Sequence, residues 1–268
     1  MSIRTKWIMN QVAPTIQELG DGDGCHIDEA ISLINYLDQN LDLETAAGEI
    51  TAAVLQEDAP REEIYRLWAL LAEALVHLED DRGRLLALLA EIQNLPPSDA
   101  LRWYQLPGFG NMWSDLYTRV PSSTAWGPIT LLRQRRKAIA TAEAEMYVQD
   151  VGGISELWGY ETLNLVCSAG HDLEYRIFEM YRWLEIAGSK LARNLQPGQV
   201  KSFTRTVKGR PDKGYCIEAT LAEHWEHWKK NFLQLSQDEQ SLSVEAKELA
   251  RQCYGMMKGL AVTMPWSR

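Results

Sequence analysis

Apolar residues recur at helical spacing through the first third of the chain. The clearest stripes advance by three and four residues along one helix face, and they comprise Ile64, Leu67, Trp68, Leu71, Leu75 and Leu78, followed by Leu85, Leu88, Leu89 and Ile92. This spacing predicts two helices joined by a short turn at Glu79 to Arg82. A further helix pair is predicted over Ile27–Gln39 and Leu43–Gln56, and Pro60 suits the first turn of the helix that follows.

The same periodicity continues through the second half of the chain. It predicts helices near Ile129–Gln149, Ile154–Ala169, Leu173–Ala187 and Glu218–Leu235. No alternation of apolar and polar residues is long enough to predict a strand. The sequence therefore predicts an all-α fold: a single multi-helix domain of antiparallel helix pairs, with residues 1–95 as an N-terminal half, 96–128 as a connection and 129–268 as a C-terminal half.

The connection between the halves is rich in Pro and Gly and carries the aromatic residues Trp103, Tyr104, Phe109, Trp113, Tyr117 and Trp126. A flexible linker would not carry so many rings, because leaving each one exposed forgoes about 2 kcal/mol of burial energy. We therefore expect this segment to pack. It either plugs the junction of the two halves, the favoured interpretation, or forms the aromatic wall of a ligand pocket, since pockets are common where two halves meet.

Positive charge is concentrated in two places of an otherwise acidic chain. The first, at 200–214, combines Gly and Pro with Lys201, Arg205, Lys208, Arg210 and Lys213. Such a segment is typically a solvated loop. Its functional alternative is a mobile lid over an anionic ligand, with Arg205 as a binding residue. The second is RQRRK at Arg133–Lys137, which on a helix is expected to pair with local carboxylates rather than with a phosphate.

The segment LAEHWEHWKKNF places His224 and His227 three residues apart, each followed by a tryptophan. On a helix, one continuous apolar stripe comprises Leu221, Trp225, Trp228, Phe232 and Leu235. His224 lies at the margin of this stripe and His227 toward the polar side. The two rings therefore do not converge on a metal, which would favour i, i+4 spacing or paired Glu-x-x-His motifs, and we expect no metal site. We expect His224 to cap the core, with a catalytic role as its alternative.

A second candidate for acid–base chemistry is Glu161. On the predicted helix Ile154–Ala169 it shares one face with Ile154, Trp158 and Leu165. Asn164 lies next to it, one turn further on. A carboxylate in apolar surroundings is either paired or has a raised pKa. We expect Glu161 to be buried, either as a structural ion pair or hydrogen bond, which is favoured, or as a general acid or base.

Composition excludes several classes of protein. The chain of 268 residues has 27 Lys and Arg against 37 Asp and Glu, a net charge of −10, which argues against a nucleic-acid binder. The four cysteines are widely spaced and form no CxxC motif, so we expect a reducing, cytoplasmic setting. We expect neither a signal peptide nor a membrane helix. No P-loop, G-x-G-x-x-G, G-x-S-x-G or H-E-x-x-H motif is present, and we expect no cofactor.

Four segments carry a resemblance to known sequences: WYQLPGFGNMWSDLYT (Trp103–Thr118), YETLNLVCSA (Tyr160–Ala169), WLEIAGSKL (Trp183–Leu191) and HWEHWKKNF (His224–Phe232). Together they resemble a fungal family of intracellular proteins catalogued only as a domain of unknown function, and the last is similar to its Trp-x-x-Trp-Lys-x-x-Phe signature. The chain departs from the family's pattern at Val166 and Cys167, where a bulky aromatic residue is expected. The resemblance spans most of the chain from Trp103 to Met257. It implies a fungal, cytosolic, helical protein, with relatives near small-molecule biosynthetic genes, and it supplies no catalytic residues.

Two functions fit these observations. The first is a small-molecule-binding protein, in its finer form a cofactor-independent tailoring enzyme of cyclase or isomerase type in fungal secondary metabolism. Ten Trp against four Phe favour an aromatic pocket. The candidate catalytic residues are Glu161 and His224, and the candidate ligand-contacting residues are Trp103, Tyr104, Trp113, Tyr117, Trp158, Asn164, Trp225 and Arg205. The second is a non-catalytic helical interaction or regulatory protein, against which the lack of a sequence repeat counts mildly. The sequence leaves the oligomeric state open.

Overall fold

The computed structural model describes residues 1–15, 24–117, 129–167, 173–207, 210–238, 242–260 and 262. Contacts within the chain divide it into two compact units. Unit 1 comprises Met1–Ser123 and Asp150–Ile154, and unit 2 comprises Thr124–Gln149 and Ser155–Arg268. The chain therefore leaves unit 1, forms part of unit 2, and contributes five more residues to unit 1 before it completes unit 2.

Unit 1 is built from helices, which are α1 (Ile3–Met9), α2 (Ile27–Leu37), α3 (Leu43–Gln56), α4 (Pro60–Glu63), α5 (Tyr65–His77), α6 (Arg82–Asn94) and α7 (Phe109–Asp115), with 3-10 turns at Glu79–Asp81 and Trp103–Gln105. Local chemistry sets several of these starts. The Asp42 side chain accepts a hydrogen bond from the backbone N–H of Thr45 at the start of α3, and Pro60 occupies the first turn of α4. Helix α2 packs on α3, α3 on α6, and α5 on α6 and α7. The helices predicted from the apolar stripes are confirmed.

The aromatic segment after α6 packs inside unit 1, as predicted. Trp103, Phe109 and Trp113 are buried. The Trp103 and Phe109 rings meet the Trp68 ring of α5 edge-on, with centroids 6.4 Å and 5.6 Å away. The Trp68 indole N–H donates to the Pro107 carbonyl over 2.8 Å, so the polar atom of the central ring has a partner. The rest of the segment, 118–128 with Trp126, lies outside the described residues.

Unit 2 contains helices α8 (Ile129–Gln149), α9 (Glu156–Asn164), α10 (Leu173–Asn194), α11 (Leu221–Gln237) and α12 (Val244–Gly259), a 3-10 turn at Leu165–Cys167, and strands β1 (Val200–Val207) and β2 (Arg210–Thr220). Helix α10 packs on α8, α9 and α12, and α11 packs on α12. The basic cluster at the start of α8 pairs with carboxylates, as predicted. Arg133 contacts Glu174 and Glu245, and Arg136 lies 3.5 Å from Glu179.

The described residues are mostly helical, but the prediction of an all-α fold was wrong at 200–220. Strands β1 and β2 form an antiparallel hairpin, in which Phe203 pairs with Ile217 and Arg205 with Tyr215. The segment predicted as a loop is therefore a strand over most of its length. Its alternation of Ser202, Phe203, Thr204 and Arg205 is a strand pattern, which its positive charges concealed because we equated charge with solvation. Lys208 and Gly209 lie outside the described residues.

Candidate functional site

Strand β1 places alternate side chains against the helices of unit 2. Phe203 and Arg205 are 4% and 8% exposed, whereas Ser202 and Thr204 between and beside them are exposed. This is the period of two expected for a strand with one covered face. The Phe203 ring meets the His224 ring and the Trp228 ring of α11 edge-on, with centroids 4.8 Å and 5.5 Å away. The hairpin thereby brings a guanidinium group into an aromatic environment.

Asn164, the last residue of α9, connects this strand to α11. Its side-chain N–H donates to the Thr204 carbonyl over 2.7 Å, and its side-chain oxygen accepts from the Trp228 indole N–H over 3.1 Å. Asn164 is buried, and Trp228 is fully so. The bond to Trp228 is buried and the bond to Thr204 is part-buried, and together they fix the relative positions of α9, β1 and α11.

His224 of α11 is completely buried and bonded through both ring nitrogens. Its Nε2 lies 3.1 Å from the Lys201 carbonyl, and its Nδ1 lies 3.0 Å from Nη2 of Arg205. A carbonyl can only accept and a guanidinium can only donate, so Nε2 carries the hydrogen and Nδ1 is the acceptor. Burial lowers the pKa of His224, the bond to Lys201 opposes this, and the charge of Arg205 lowers the pKa again. The histidine is therefore neutral at pH 7, with no free nitrogen to act as a base.

Asn164, Phe203, Arg205, His224 and Trp228 form what we call the Arg205 cluster. Within the described part of the chain, its one incompletely bonded member is Arg205. The Nε atom of that residue is buried and has no hydrogen-bond partner there. The other polar side-chain groups of the cluster are satisfied by the bonds given above. Among the described residues, the Nε atoms of Arg66, Arg133 and Arg135 also lack a hydrogen-bond partner, but Arg66 and Arg133 form ion pairs with Glu63 and Glu174. Buried polar groups in native proteins are rarely left unpaired, so an unpaired Nε on a guanidinium group without an acidic partner points to a site for a ligand.

Two further side chains feel the charge of Arg205. Burial raises the pKa of the Cys167 thiol to about 11, although the charge of Arg205 partly opposes this. The thiol is protonated at neutral pH and is therefore a poor nucleophile. The pKa of His227 is lowered by partial burial and then by the charge of Arg205, with a smaller effect from Lys230. Among the described residues, the surroundings of Arg205 thus carry positive potential, and the Cys167 thiol is not an activated nucleophile.

The structure brings together three of the residues proposed from sequence, Asn164, Arg205 and His224. His224 was expected at the margin of the core, and it lies wholly within it, because β1 covers the side of α11 that the helix alone would have left open. Trp225 is also buried on α11, with its ring 6.5 Å from that of Trp228. Trp158 of α9 is half-buried. Of the cluster, Phe203 and Trp228 were not proposed as site residues; the alternation of residues along β1 was the signal for Phe203.

The prediction that Glu161 is buried was wrong, because the side chain is exposed. Partial shielding raises the pKa of its carboxyl group, but the residue does not sit in the apolar interior. Helix α9 begins at Glu156, so Ile154 precedes the helix and does not mark its inner face. The inner face contains Gly159, Tyr160 and Leu163. Glu161 therefore lacks the buried environment on which its proposed acid–base role depended.

The remaining proposed ligand-contacting residues belong to unit 1. Trp103 and Trp113 are core residues there, and the Trp113 ring stacks 6.1 Å from that of Phe109. Tyr104 is 55% exposed, and Tyr117 is half-buried. The two tryptophans have a structural role, since Trp103 packs against Trp68 and Trp113 packs against Phe109.

An open surface groove of about 470 Å³ lies over α11, on the side away from its apolar stripe. It is lined by Glu226, His227, Lys229, Lys230, Leu233 and Tyr254. Lys229 is already paired with Glu226 over 2.5 Å. The groove offers exposed, partly neutralised charges, whereas the Arg205 cluster offers a buried charge without a counterion, so the cluster is the stronger candidate site.

No family model, curated protein or solved structure matches the chain. None of the helices in the described ranges combines the length and the apolar character that a membrane crossing requires. The function therefore has to be inferred from the contacts of the chain itself.

Proposed function

We propose that this chain is a cytoplasmic small-molecule-binding protein whose ligand binds at the Arg205 cluster of unit 2. The observation that carries the proposal is the buried Nε of Arg205, which has no partner among the described residues. A network held by Asn164 and His224 from two helices, yet incomplete at one donor, is what a preorganised binding site requires. Membership of the fungal family that the sequence resembles is part of this proposal.

The chemistry of the cluster favours binding over turnover. His224 is neutral and has both nitrogens engaged, and the Cys167 thiol has its pKa raised to about 11. General acid–base catalysis needs a group that can gain or lose a proton near neutral pH, and nucleophilic catalysis needs an activated thiol. A tailoring enzyme of cyclase or isomerase type, the finer form of the proposal, would have to work through orientation of its substrate by the aromatic rings.

Native mass spectrometry of the full chain, purified from its own host, tests the proposal. A retained small molecule that is lost on denaturation supports it. The variant Trp228→Phe keeps the ring but removes the donor to Asn164, so it is expected to weaken retention, whereas Trp103→Phe in unit 1 is the matched control and should leave retention unchanged. A chain that carries no small molecule and instead co-purifies in fixed ratio with another protein would contradict the proposal and favour the interaction protein.

A further inference from the structure

Among the arginines of unit 2 whose burial the structure describes, Arg205 is the one that is buried, and it has no acidic partner among the described residues. Arg133, Arg136, Arg182 and Arg251 each lie within ion-pair distance of a glutamate. All four have more exposed side chains than Arg205, whose residue is 8% exposed. The most deeply buried of these guanidinium groups is thus the one without a counterion.

A buried cation without a counterion is energetically unfavourable, because it has lost water and gained no opposite charge. The bond to His224 offsets this only in part, since a neutral imidazole supplies one acceptor and no charge. Protonation of His224 would place a second cation 3.0 Å from the first. The surroundings of Arg205 therefore demand an anion that the described residues do not provide.

We infer that the free edge of the Arg205 guanidinium binds an oxyanion, the carboxylate or phosphate group of a small molecule. A guanidinium group presents N–H donors in a planar fork that matches two oxygens of such a group, and charge-assisted bonds of this kind are strong in desolvated surroundings. His224 acts as a positioning residue, because its bond to Nη2 leaves Nε as the donor that faces the anion. The inference rests on the proposed function and names the ligand's chemical class.

Titration of the full chain with inorganic phosphate, and separately with acetate, tests the inference at pH 7 and constant ionic strength against chloride. The Nε–H resonance of Arg205 in a proton–nitrogen correlation spectrum is expected to shift and saturate. Saturation by phosphate alone identifies a phosphate-bearing ligand, by acetate alone a carboxylate, and by both an oxyanion site of broader specificity. The absence of a saturating shift with either anion overturns the inference.

Two variants and one control give an independent measurement by thermal unfolding. The anion should raise the unfolding midpoint of the wild type and of the control Arg251→Gln, which removes an exposed ion pair of α12. Arg205→Gln should lower the affinity for the anion about tenfold to a hundredfold, because a charge-assisted bond is lost. The affinity of Arg205→Lys should lie between those of the wild type and Arg205→Gln. Without anion, Arg205→Gln should be no less stable than the wild type, because it removes an unpaired buried charge.

Failure of the inference and failure of the proposed function give different results. If the chain retains a neutral small molecule that Arg205→Gln also retains, the oxyanion assignment is overturned and small-molecule binding stands. If no small molecule is retained and neither anion shifts the Arg205 resonance, both are overturned. A marked loss of stability in anion-free Arg205→Gln would mean that Arg205 is structural, which also overturns the assignment.

Discussion

Asn164 shows how much a single buried amide can hold together. It links Trp228 and the Thr204 carbonyl, and the bond to Trp228 is fully buried. Asn164→Leu keeps the approximate volume of the side chain but leaves both partners unpaired. We expect it to lower the free energy of unfolding by about 2 kcal/mol, measured by urea denaturation. Asn231→Ala is the matched control on α11, because Asn231 bonds only to a carbonyl of its own helix, and its effect should stay within about 0.5 kcal/mol.

Burial moves the pKa of the Glu29 carboxyl group of α2 toward neutral pH. The side chain is fully buried, and burial raises its pKa to about 7. The hydrogen bond from the His26 backbone N–H and the charge of Arg66 lower the pKa and so oppose this shift, whereas the charges of Glu57 and Asp28 add slightly to it. Its folded-state pKa therefore exceeds the unfolded value of 4.5. The contribution of Glu29 to stability is fully present below pH 4.5 and is lost as the pH rises through 7.

Replacement of this carboxyl group should remove that pH dependence. Glu29→Gln keeps an oxygen for the His26 N–H, so we expect it to unfold like the wild type at pH 4 and to be more stable at pH 8. The gain is of order 3 kcal/mol if the whole shift is recovered. Thermal unfolding across this pH range measures it, with exposed Glu44→Gln as the control. Parallel pH profiles of the wild type and Glu29→Gln would show that Glu29 does not titrate with unfolding.

Glu161 and His224 show how far the surroundings of a single residue can be predicted from sequence. The apolar stripe that placed Glu161 inside depended on the helix starting at Ile154, and a start at Glu156 changes which face is inner. The buried face of the helix was hard to recognise because it contains Gly159. Glycine has little weight on hydrophobicity scales, yet Gly159 packs closely against Leu191 and Trp183. His224 was found because its position relative to Trp225 and Trp228 does not depend on where the helix begins.

Gly159 determines how closely α9 approaches α10. A Cβ at this position would lie 2.8 Å from Leu191 Cδ2 and 2.8 Å from Trp183 Cζ3. Gly159→Ala should therefore destabilise unit 2 by about 1–2 kcal/mol, because crowding outweighs the better helix propensity of alanine. Gly255→Ala on α12 meets nothing within 4 Å and should stabilise by about 0.5–1 kcal/mol. Urea denaturation measures both, and effects of the same sign would refute the close approach.

The hairpin gives an expectation opposite to that for a mobile loop. Strand β1 is paired with β2 from Val200 to Val207, so the alternate backbone amides that bond to β2 should exchange slowly with deuterium. The amides of Asp99 and Ala100, which lie outside regular structure and have no acceptor among the described residues, provide the rapidly exchanging reference within the same chain. Equal exchange of the two segments would contradict an ordered hairpin.

Prediction was most successful for long helices and least for this hairpin. The bounds of Leu43–Gln56 and Ile129–Gln149 agree with the structure to the residue, because many apolar positions at one period determine them. A two-stranded hairpin leaves only a few alternating positions, and five of the eight residues of β1 are polar. The start of α11 shows the same limit, since Glu218 to Thr220 belong to β2.

At the scale of the whole molecule, unit 1 is completed by a segment distant in sequence. Val151 and Ile154 are buried, and the Gly152 N–H donates to the Gln93 side chain over 3.4 Å. We expect Ile154→Ala to lower the stability of unit 1 by about 2–4 kcal/mol. Hydrogen exchange should increase in peptides of α5 and α6 and stay unchanged in α10 to α12. Increased exchange confined to unit 2 would show that this segment belongs there instead.

The sequence did not indicate this division, although it predicted most of the helices. DVGGI, Asp150 to Ile154, has the composition of an ordinary turn between two helices. Its membership of unit 1 depends on contacts with residues such as Gln93 that are far away along the chain. Local sequence patterns predict helices and strands, but they do not predict which residues fifty or more positions apart will be in contact.

The return of the chain to unit 1 also constrains the order in which the molecule forms during synthesis. Everything else described in unit 1 ends at Tyr117, yet the unit is incomplete until Ile154 has left the ribosome. At typical elongation rates that interval lasts about 2–7 s. During this interval, the surface of unit 1 that Val151 and Ile154 will cover is exposed. The nascent chain also already contains α8, whose packing partner α10 has not yet been synthesised. A ribosome pause placed between these two points would lengthen this vulnerable period, and one placed after Ile154 has emerged would not.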